Sequence, residues 1–529
     1  MKIQHQEVRD IARTIFNSCI QRENLAGMTT FLATYSVYFL WGFFTHGIYS
    51  LAFNASIFIL ILTGITDASL KNTRIFRGAS LLWSIPLTLV IISYTLYDNY
   101  LIRITNFLFI PALFGIVCAQ ERENDSEGIF KAPQMLIKVI ANSWFGAIRN
   151  LFESLSKVFS CWSSLFWRCT SLRDERIKSI CKGVLILATL SLFVIVPLLS
   201  SLDEQFAHYA KNFTQSLFNT IADLFSYDLS CRIAVAFIAS AIFLSYIVAW
   251  GQAAQSELKD TVASERQTDS LSAGIVLSGI VLIYASFIVV SVSNLSLSAT
   301  NVHTFAERVR EAKSGFWQIV ALSSINIALC FVYFERTAQL VQRILTVFIA
   351  SSFIILLSGA SKLSVYVWYH GLSHEKFYAC YTLLYCIAVF LLLIKRCVLK
   401  YSGNIIKECT ILLVWMYGFV AVLPVERIIA STNLTLAQNA ASKIELSELV
   451  ALGADAYPFI SAHQHEFNTL ESQRNNCDIG SMGRSLNRWK STIQKNASSR
   501  AWYEHTVSSL MVLGDSQRDD SEIRYLSRL

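Results

Sequence analysis

Charge is what this chain has least of. Only 15% of its 529 residues are Asp, Glu, Lys or Arg, against about 25% in an average soluble domain. A shortage that large, beside 54% hydrophobic residues, 35 Phe and a mean hydropathy of +0.46, excludes a disordered chain and a string of soluble domains. Other absences narrow the function. The twelve cysteines form no CxxC pair, and only Cys477 stands in the C-terminal tail, so they read as small buried apolar side chains rather than a disulfide framework or redox centre. No GxxxxGK[ST], HExxH, GxSxG or GxGxxG signature occurs. The first 26 residues are polar and mixed in charge and do not read as a cleavable signal peptide.

What is present is long apolar runs. A helix crossing about 30 Å of hydrocarbon needs about 20 mainly apolar residues. Eleven stretches meet or approach that length: 27–45, 47–66, 78–97, 104–119, 183–202, 233–252, 270–293, 314–334, 344–361, 377–394 and 409–425. None contains an Asp, Glu, Lys or Arg. The fourth is short, with Arg103 just before it and expected to snorkel to the interface. The fold class expected is all-α: a polytopic transmembrane helical bundle of about 11 spans with a C-terminal extramembrane helical tail.

Cytoplasmic loops retain Lys and Arg. With the N-terminus inside, the inner segments before the tail carry 25 Lys and Arg against 8 in the outer loops. The +7 net charge therefore follows topology and is not a nucleic-acid signal. The organisation expected is a cytoplasmic segment 1–26, a four-span membrane unit 27–119, a cytoplasmic loop 120–182, a seven-span unit 183–425 and an external, periplasmic tail 426–529. In the loop, Trp144, Ile148, Leu151, Leu155, Trp162 and Leu165 recur at helical spacing, with Lys138, Arg149, Lys157 and Arg168 opposite. That pattern suits an amphipathic helix over 133–168, either in the membrane interface near anionic lipids or docking a partner. The tail reads as helical near 445–453, 456–472, 485–495 and 498–513, with Ser498 as an N-cap and 480–483 as a turn.

Asn54, Asn106 and Asn326 are the strongest polar groups at membrane depth, and interhelical hydrogen bonding is their expected role. With no titrating residue in any span, an ion-coupled transporter is disfavoured. His370 with His374, and His463 with His465, lack a third donor, so no metal site is expected.

Thr304, Ala306, Glu307, Arg310, Gly315, Phe316 and Trp317 form one motif stretch, and Ser358, Leu363, Tyr366, His370, Gly371, Leu372 and Ser373 form a second. Both resemble stretches of a bacterial multi-pass family known as a domain of unknown function, numbered 4153 and 4173. In the tail, Asn433, Asn439, Asp455, Ala456 and Pro458 resemble an asparagine pair and an aspartate-alanine-x-proline element, and Trp489, Asn496, Arg500 and Ala501 a closing pattern. The resemblance covers roughly 187–501 and implies a bacterial cytoplasmic-membrane protein with no established activity.

The binding candidates are Thr304, Glu307, Arg310, Trp317, Tyr366, His370, Asn433, Asn439 and Asp455, with Glu307, Arg310, Tyr366 and Asp455 expected to converge on a polar external surface under the tail. The role expected is a non-enzymatic scaffold, sensor or envelope-assembly component without cofactor. Its expected partners are the lipid bilayer and envelope proteins, not nucleic acid. The alternative is a transporter or lipid-handling protein with a membrane-depth cavity lined by groups such as Asn326.

Overall fold

A computed structural model of the protein describes Leu32, Tyr35, Phe130, 39–69, 81–122, 133–169, 227–253, 274–275, 277–286, 288, 320–331, 339–399, 403–438, 446–475 and 481–515. All regular structure among these residues is helical. The helices are α1 Ala52–Ser69, α2 Leu81–Leu96, α3 Tyr100–Arg122, α4 Pro133–Cys169, α5 Tyr227–Ala253, α6 Leu277–Ser286, α7 Val320–Phe331, α8 Gln339–His370, α9 His374–Leu399, α10 Ile405–Ala421, α11 Val425–Ala437, α12 Tyr457–Ala462, α13 Gln464–Asn475, α14 Ser481–Ser498 and α15 over 507–515.

Four stretches are long and apolar enough to cross a membrane: Gly47–Thr66, Tyr100–Ala119, Gln339–His370 and His374–Val398. A fifth is reached if α10 and α11, bent by 74°, count as one span. Among the described residues this is a polytopic helical bundle of four to five full-length spans. Within the stretches expected at 78–97, 233–252, 270–293 and 314–334, the described residues hold shorter apolar helices, Leu81–Leu96, Ala234–Trp250, Leu277–Ser286 and Val320–Phe331. That at 183–202 lies outside the described residues, as does most of 27–45.

Several boundaries move for identifiable reasons. At the expected outer loop 362–376, α8 continues to His370 and leaves only 371–373 as the connection. Gly371 ends the helix at φ +76°, a left-handed conformation cheap only for glycine, and its N–H donates to the Val367 carbonyl at 2.7 Å. Lys376 Nζ then donates to the Gly371 carbonyl at 2.8 Å. Ser498 is not an N-cap but the last residue of α14. Thr506 caps α15 instead: its N–H donates to Ser509 Oγ at 2.8 Å and the Ser509 N–H to Thr506 Oγ1 at 3.1 Å. Ser481 to Gly483, read as part of a turn, open α14.

The chain forms two compact units. One comprises 1–45, 63–71 and 144–251, the other 46–62, 72–143 and 252–529. In the first, α4 and α5 meet through small residues. Gly146 faces Ala249, and Ser245 donates across the helices to the Ala147 carbonyl. α4 is the helix its periodicity implied, but its apolar residues divide. Leu151 and Leu155 pack with Val158 and α5, while Phe145, Ile148, Phe152 and Phe159 stay exposed, Phe152 by 82%. Small residues allow close packing on one side, which leaves the large ones outward.

In the second unit α8, α9 and α10 pack with α6 and α7 around Phe348, Leu356, Val389 and Phe390. α2 pairs closely with α10 because of one proline. Pro86 lacks the N–H that would bond the Leu82 carbonyl four residues back. Trp415 Nε1 on α10 donates to that carbonyl at 3.0 Å. Gly418, one turn on, makes the approach possible: a Cβ there would stand 3.2 Å from Pro86 Cα. Gly418→Val is expected to lower stability by about 1–3 kcal/mol, read as the thermal melting of the detergent-solubilised chain. An unchanged melt would mean the helices do not meet there.

Candidate functional site

Within the second unit the ends of several helices gather against the tail. The 3-10 turn Gly47–Leu51 precedes α1, residues 97–99 join α2 to α3, and 371–373 join α8 to α9. Asn433 on α11 holds the last of these as a backbone would. Its Oδ1 accepts from the Leu372 N–H at 2.6 Å and its Nδ2 donates to the Leu372 carbonyl at 2.8 Å.

Asp98 is the centre. Its Oδ1 accepts from Arg103 Nη2 at 2.9 Å and its Oδ2 from Arg500 Nη1 at 2.7 Å. Its own N–H donates to Asp455 Oδ1 at 2.9 Å. Arg103 is buried in the first turn of α3 rather than snorkelling outward. Nη1 donates to the Ile48 and Tyr49 carbonyls at 3.0 and 2.9 Å, and Nη2 to those of Tyr94 and Tyr97 at 3.3 and 3.1 Å. The geometry explains the burial: carbonyls left over at the 47–51 turn and the C-terminus of α2 replace water around the cation. The Tyr49 ring lies about 6 Å from both guanidiniums.

The tail presents its partners from separate elements. Gly453 donates its N–H to Glu426 Oε2 at 2.9 Å, and His374 Nε2 stands 3.4 Å from Glu426 Oε1. Trp489 Nε1 donates to the Leu452 carbonyl at 2.7 Å, and Tyr457 stacks on Trp489. These contacts fix the segment that carries Asp455. Glu504 Oε2 accepts from the Ala501 N–H at 3.1 Å, closing the turn beside Arg500.

Further polar pairs lie beyond the site, within the bundle. Asn99 caps α3 by accepting from the Ile102 N–H and donates to Tyr378 Oη at 2.6 Å. Tyr417 Oη donates to Asn106 Oδ1 and is 2.7 Å from Thr105 Oγ1, and Asn106 Nδ2 reaches Ser93. Asn326 accepts from Tyr284 Oη at 2.7 Å. Asn106 and Asn326 thus join helices as expected, and Asn54 Nδ2 donates to the Ser50 carbonyl in the turn before its helix.

Of the sequence-predicted site residues, Asp455 and Asn433 are buried at this junction. Tyr366 and His370 contact each other at the end of α8, where Lys376 lies 4.8 Å from the Tyr366 ring. Asp455 is brought together with Asp98, Arg103, Glu426 and Arg500. Thr304, Glu307, Arg310, Trp317 and Asn439 lie outside the described residues. Sequence reasoning missed Asp98, Glu426 and the role of Arg103. The signal available was an Asp and an Arg five residues apart in a connection too short to keep both in water.

Three carboxylates face two guanidiniums here. Burial first, then the charges of Glu426 and Asp98, push the Asp455 carboxyl up to about 8, against the opposing hydrogen bonds from Asp98 and Ser508. Tyr97, Tyr378 and Arg103 also face it. The His505 imidazole is held below its ordinary value by burial and by Arg500. Among the described residues no group of three His, Cys, Asp or Glu is placed to hold a metal ion.

Two outcomes follow. A raised folded-state carboxyl favours the protonated form, so tail docking weakens as pH climbs from about 4 to about 8 and is level above that. His505 acts oppositely, weakening docking as pH falls below about 6.5. Limited proteolysis of the tail against pH reads Asp455 alone between about 6.5 and 8 and the opposed sum of the two below that, and Asp455→Asn should abolish the change between about 6.5 and 8 and leave only the His505 weakening below about 6.5. Arg103→Ala leaves Asp98 and four carbonyls without their cation and should cost about 3–5 kcal/mol. Arg500→Ala, which leaves Asp98 paired with Arg103, should cost roughly 1.5–3 kcal/mol. Equal melting of the two variants would refute that ranking.

No curated protein and no solved structure matches the chain. A family does, over residues 84–462, a stretch that opens in α2, closes at the end of α12 and includes Asp98, Arg103, Glu426, Asn433 and Asp455. The protein belongs to that bacterial multi-pass membrane family, described as Domain of unknown function (DUF4153).

Proposed function

We propose that the protein is a non-enzymatic scaffold of the bacterial inner membrane, its tail held as a cap over the periplasmic end of the bundle and offered to envelope partners. The observation that carries this reading is that the acids and bases at the junction are engaged with one another. Both Asp98 oxygens accept from arginines, Asp455 accepts from a backbone N–H, and Glu426 accepts from Gly453. A general base must reach a substrate proton. These groups instead join tail to bundle, which is the chemistry of a fixed joint. A cofactor has no part in the reading.

Sidedness rests on the Lys and Arg partition, which keeps the N-terminus in the cytoplasm and the tail outside. On the cytoplasmic side, the outward Phe145, Ile148, Phe152 and Phe159 of α4, with Arg149 exposed beside them, favour the acyl boundary and anionic headgroups as that helix's partner. The transport alternative draws no support from Asn326, which is buried and engaged by Tyr284.

Alkaline phosphatase fused after Leu529 should be active and the same enzyme inserted near Asp125 silent. The opposite pattern would overturn the sidedness. Asp455→Asn, which keeps the acceptor for Asp98, should restore a deletion strain as well as the wild-type chain does. Failure with the tail still protease-resistant would instead mark Asp455 as a reacting group.

A further inference from the structure

The last described segment of the tail is polar inside and apolar outside. In α15, Ser508, Ser509 and Val512 face the protein, and Ser509 and the capping Thr506 are fully buried. Their hydroxyls are occupied in the cap, and Ser508 Oγ donates to the Leu96 carbonyl at 3.4 Å. The outward residues are Val507, Leu510 and Met511, with Leu510 55% and Met511 53% exposed, and just before them Trp502 is 72% exposed. A water-facing helix has the opposite arrangement.

The position of this face identifies what covers it. The turn Trp502–Glu504 packs on the turn Gly47–Leu51, where the first apolar span begins. Tyr49 there lies 6.0 Å from Tyr100, which opens the next span, and both rings are exposed. Below Tyr100, Leu101, Ile104 and Leu108 form an exposed stripe down α3. Trp502 is therefore continuous with the lipid-facing surface of two spans, at the level where Trp and Tyr collect in membrane proteins.

We infer that residues 501–515 form an interfacial strap, seated in the headgroup region of the bilayer through Trp502, Val507, Leu510 and Met511. From that seat the strap holds Arg500 over Asp98, so the bilayer surface takes part in docking the tail. This surface is distinct from α4 and independent of the scaffold reading.

The test uses the full chain in phospholipid vesicles with a photoreactive benzoylphenylalanine introduced singly at Trp502, Leu510 or Met511. Leu108 serves as the lipid-facing reference and Lys495, exposed on α14, as the aqueous one. Irradiation should give phospholipid adducts at 502, 510 and 511 comparable to those at 108 and at least about tenfold above those at 495, because only residues in the acyl boundary meet lipid. Adduct levels like those at 495, or cross-links to a second copy of the chain in place of lipid, would overturn the strap. These positions are exposed, so the labelled chains should fold. Protease resistance of the tail verifies folding, and the triple change Trp502→Ser, Leu510→Gln, Met511→Gln provides a second reading. It should make the tail more protease-sensitive in vesicles. Unchanged sensitivity would also count against the strap.

Discussion

A buried guanidinium sets the terms for everything at the tail end of the second unit. Arg103 accounts for four carbonyls from two different chain segments and one carboxylate oxygen. Arginine alone has the fixed fork of donors to do so. Without that cation the Gly47–Leu51 turn, the end of α2 and Asp98 would each expose unpaired polar atoms at the head of an apolar bundle, where water cannot replace the lost bonds. Once the cation is in place, Asp98 is oriented. Its second oxygen then accepts from Arg500, and its N–H donates to Asp455. Such a pair adds little net stability compared with apolar packing, because desolvation offsets the attraction. Its consequence is positional: it determines where the tail can land.

The same logic governs the neutral polar groups deeper in the bundle. Asn99 bonds Tyr378 on α9, and Thr105, Asn106, Tyr417 and Ser93 share a second set of hydrogen bonds across α2, α3 and α10. Apolar helices in lipid gain little from burying apolar surface, so close approach and shared hydrogen bonds decide which helices meet. Pro86 makes the point without any polar side chain of its own. By removing one N–H it creates an acceptor at Leu82 that only a donor from another helix, Trp415, can satisfy.

The sequence carried the class of fold clearly and the site only in fragments. Apolar runs at 47–66 and 377–394 became spans because their length and composition respond to one solvent, the bilayer, whose demands are local. The asparagine and aspartate at 433 and 455 were visible through family resemblance and lie inside the matched stretch, while Arg500 lies beyond it, and the partners of all three were not visible. Asp98 stood in a short outer connection, where a charged residue usually remains in water, and nothing within six residues reveals that a segment more than 350 positions away will cover it. Arg103 was legible as a charge near a span end, while its burial depends on carbonyls from the preceding turn and helix. The helix of the 133–168 loop was readable from its period, but not which apolar residues would face outward, because that depends on the small residues of α5.

Those long-range contacts also constrain which connections can lie on the same side of the membrane. The charge count assigned His46, the 98–103 connection, the loop before α9 and the tail to one side by alternating spans, so an error of one span would have reversed later members relative to earlier ones. The Asp98 contacts with Asp455 and Arg500, and that of Asn433 with Leu372, tie the second, third and fourth of these to a single end of the unit. Their common side no longer depends on how many helices intervene. A span miscounted between α3 and α8 would have to be matched by another before the tail, since hydrogen bonds of 2.6–2.9 Å cannot reach across a bilayer. The contacts thus bind the orientation of the tail to that of the 98–103 connection.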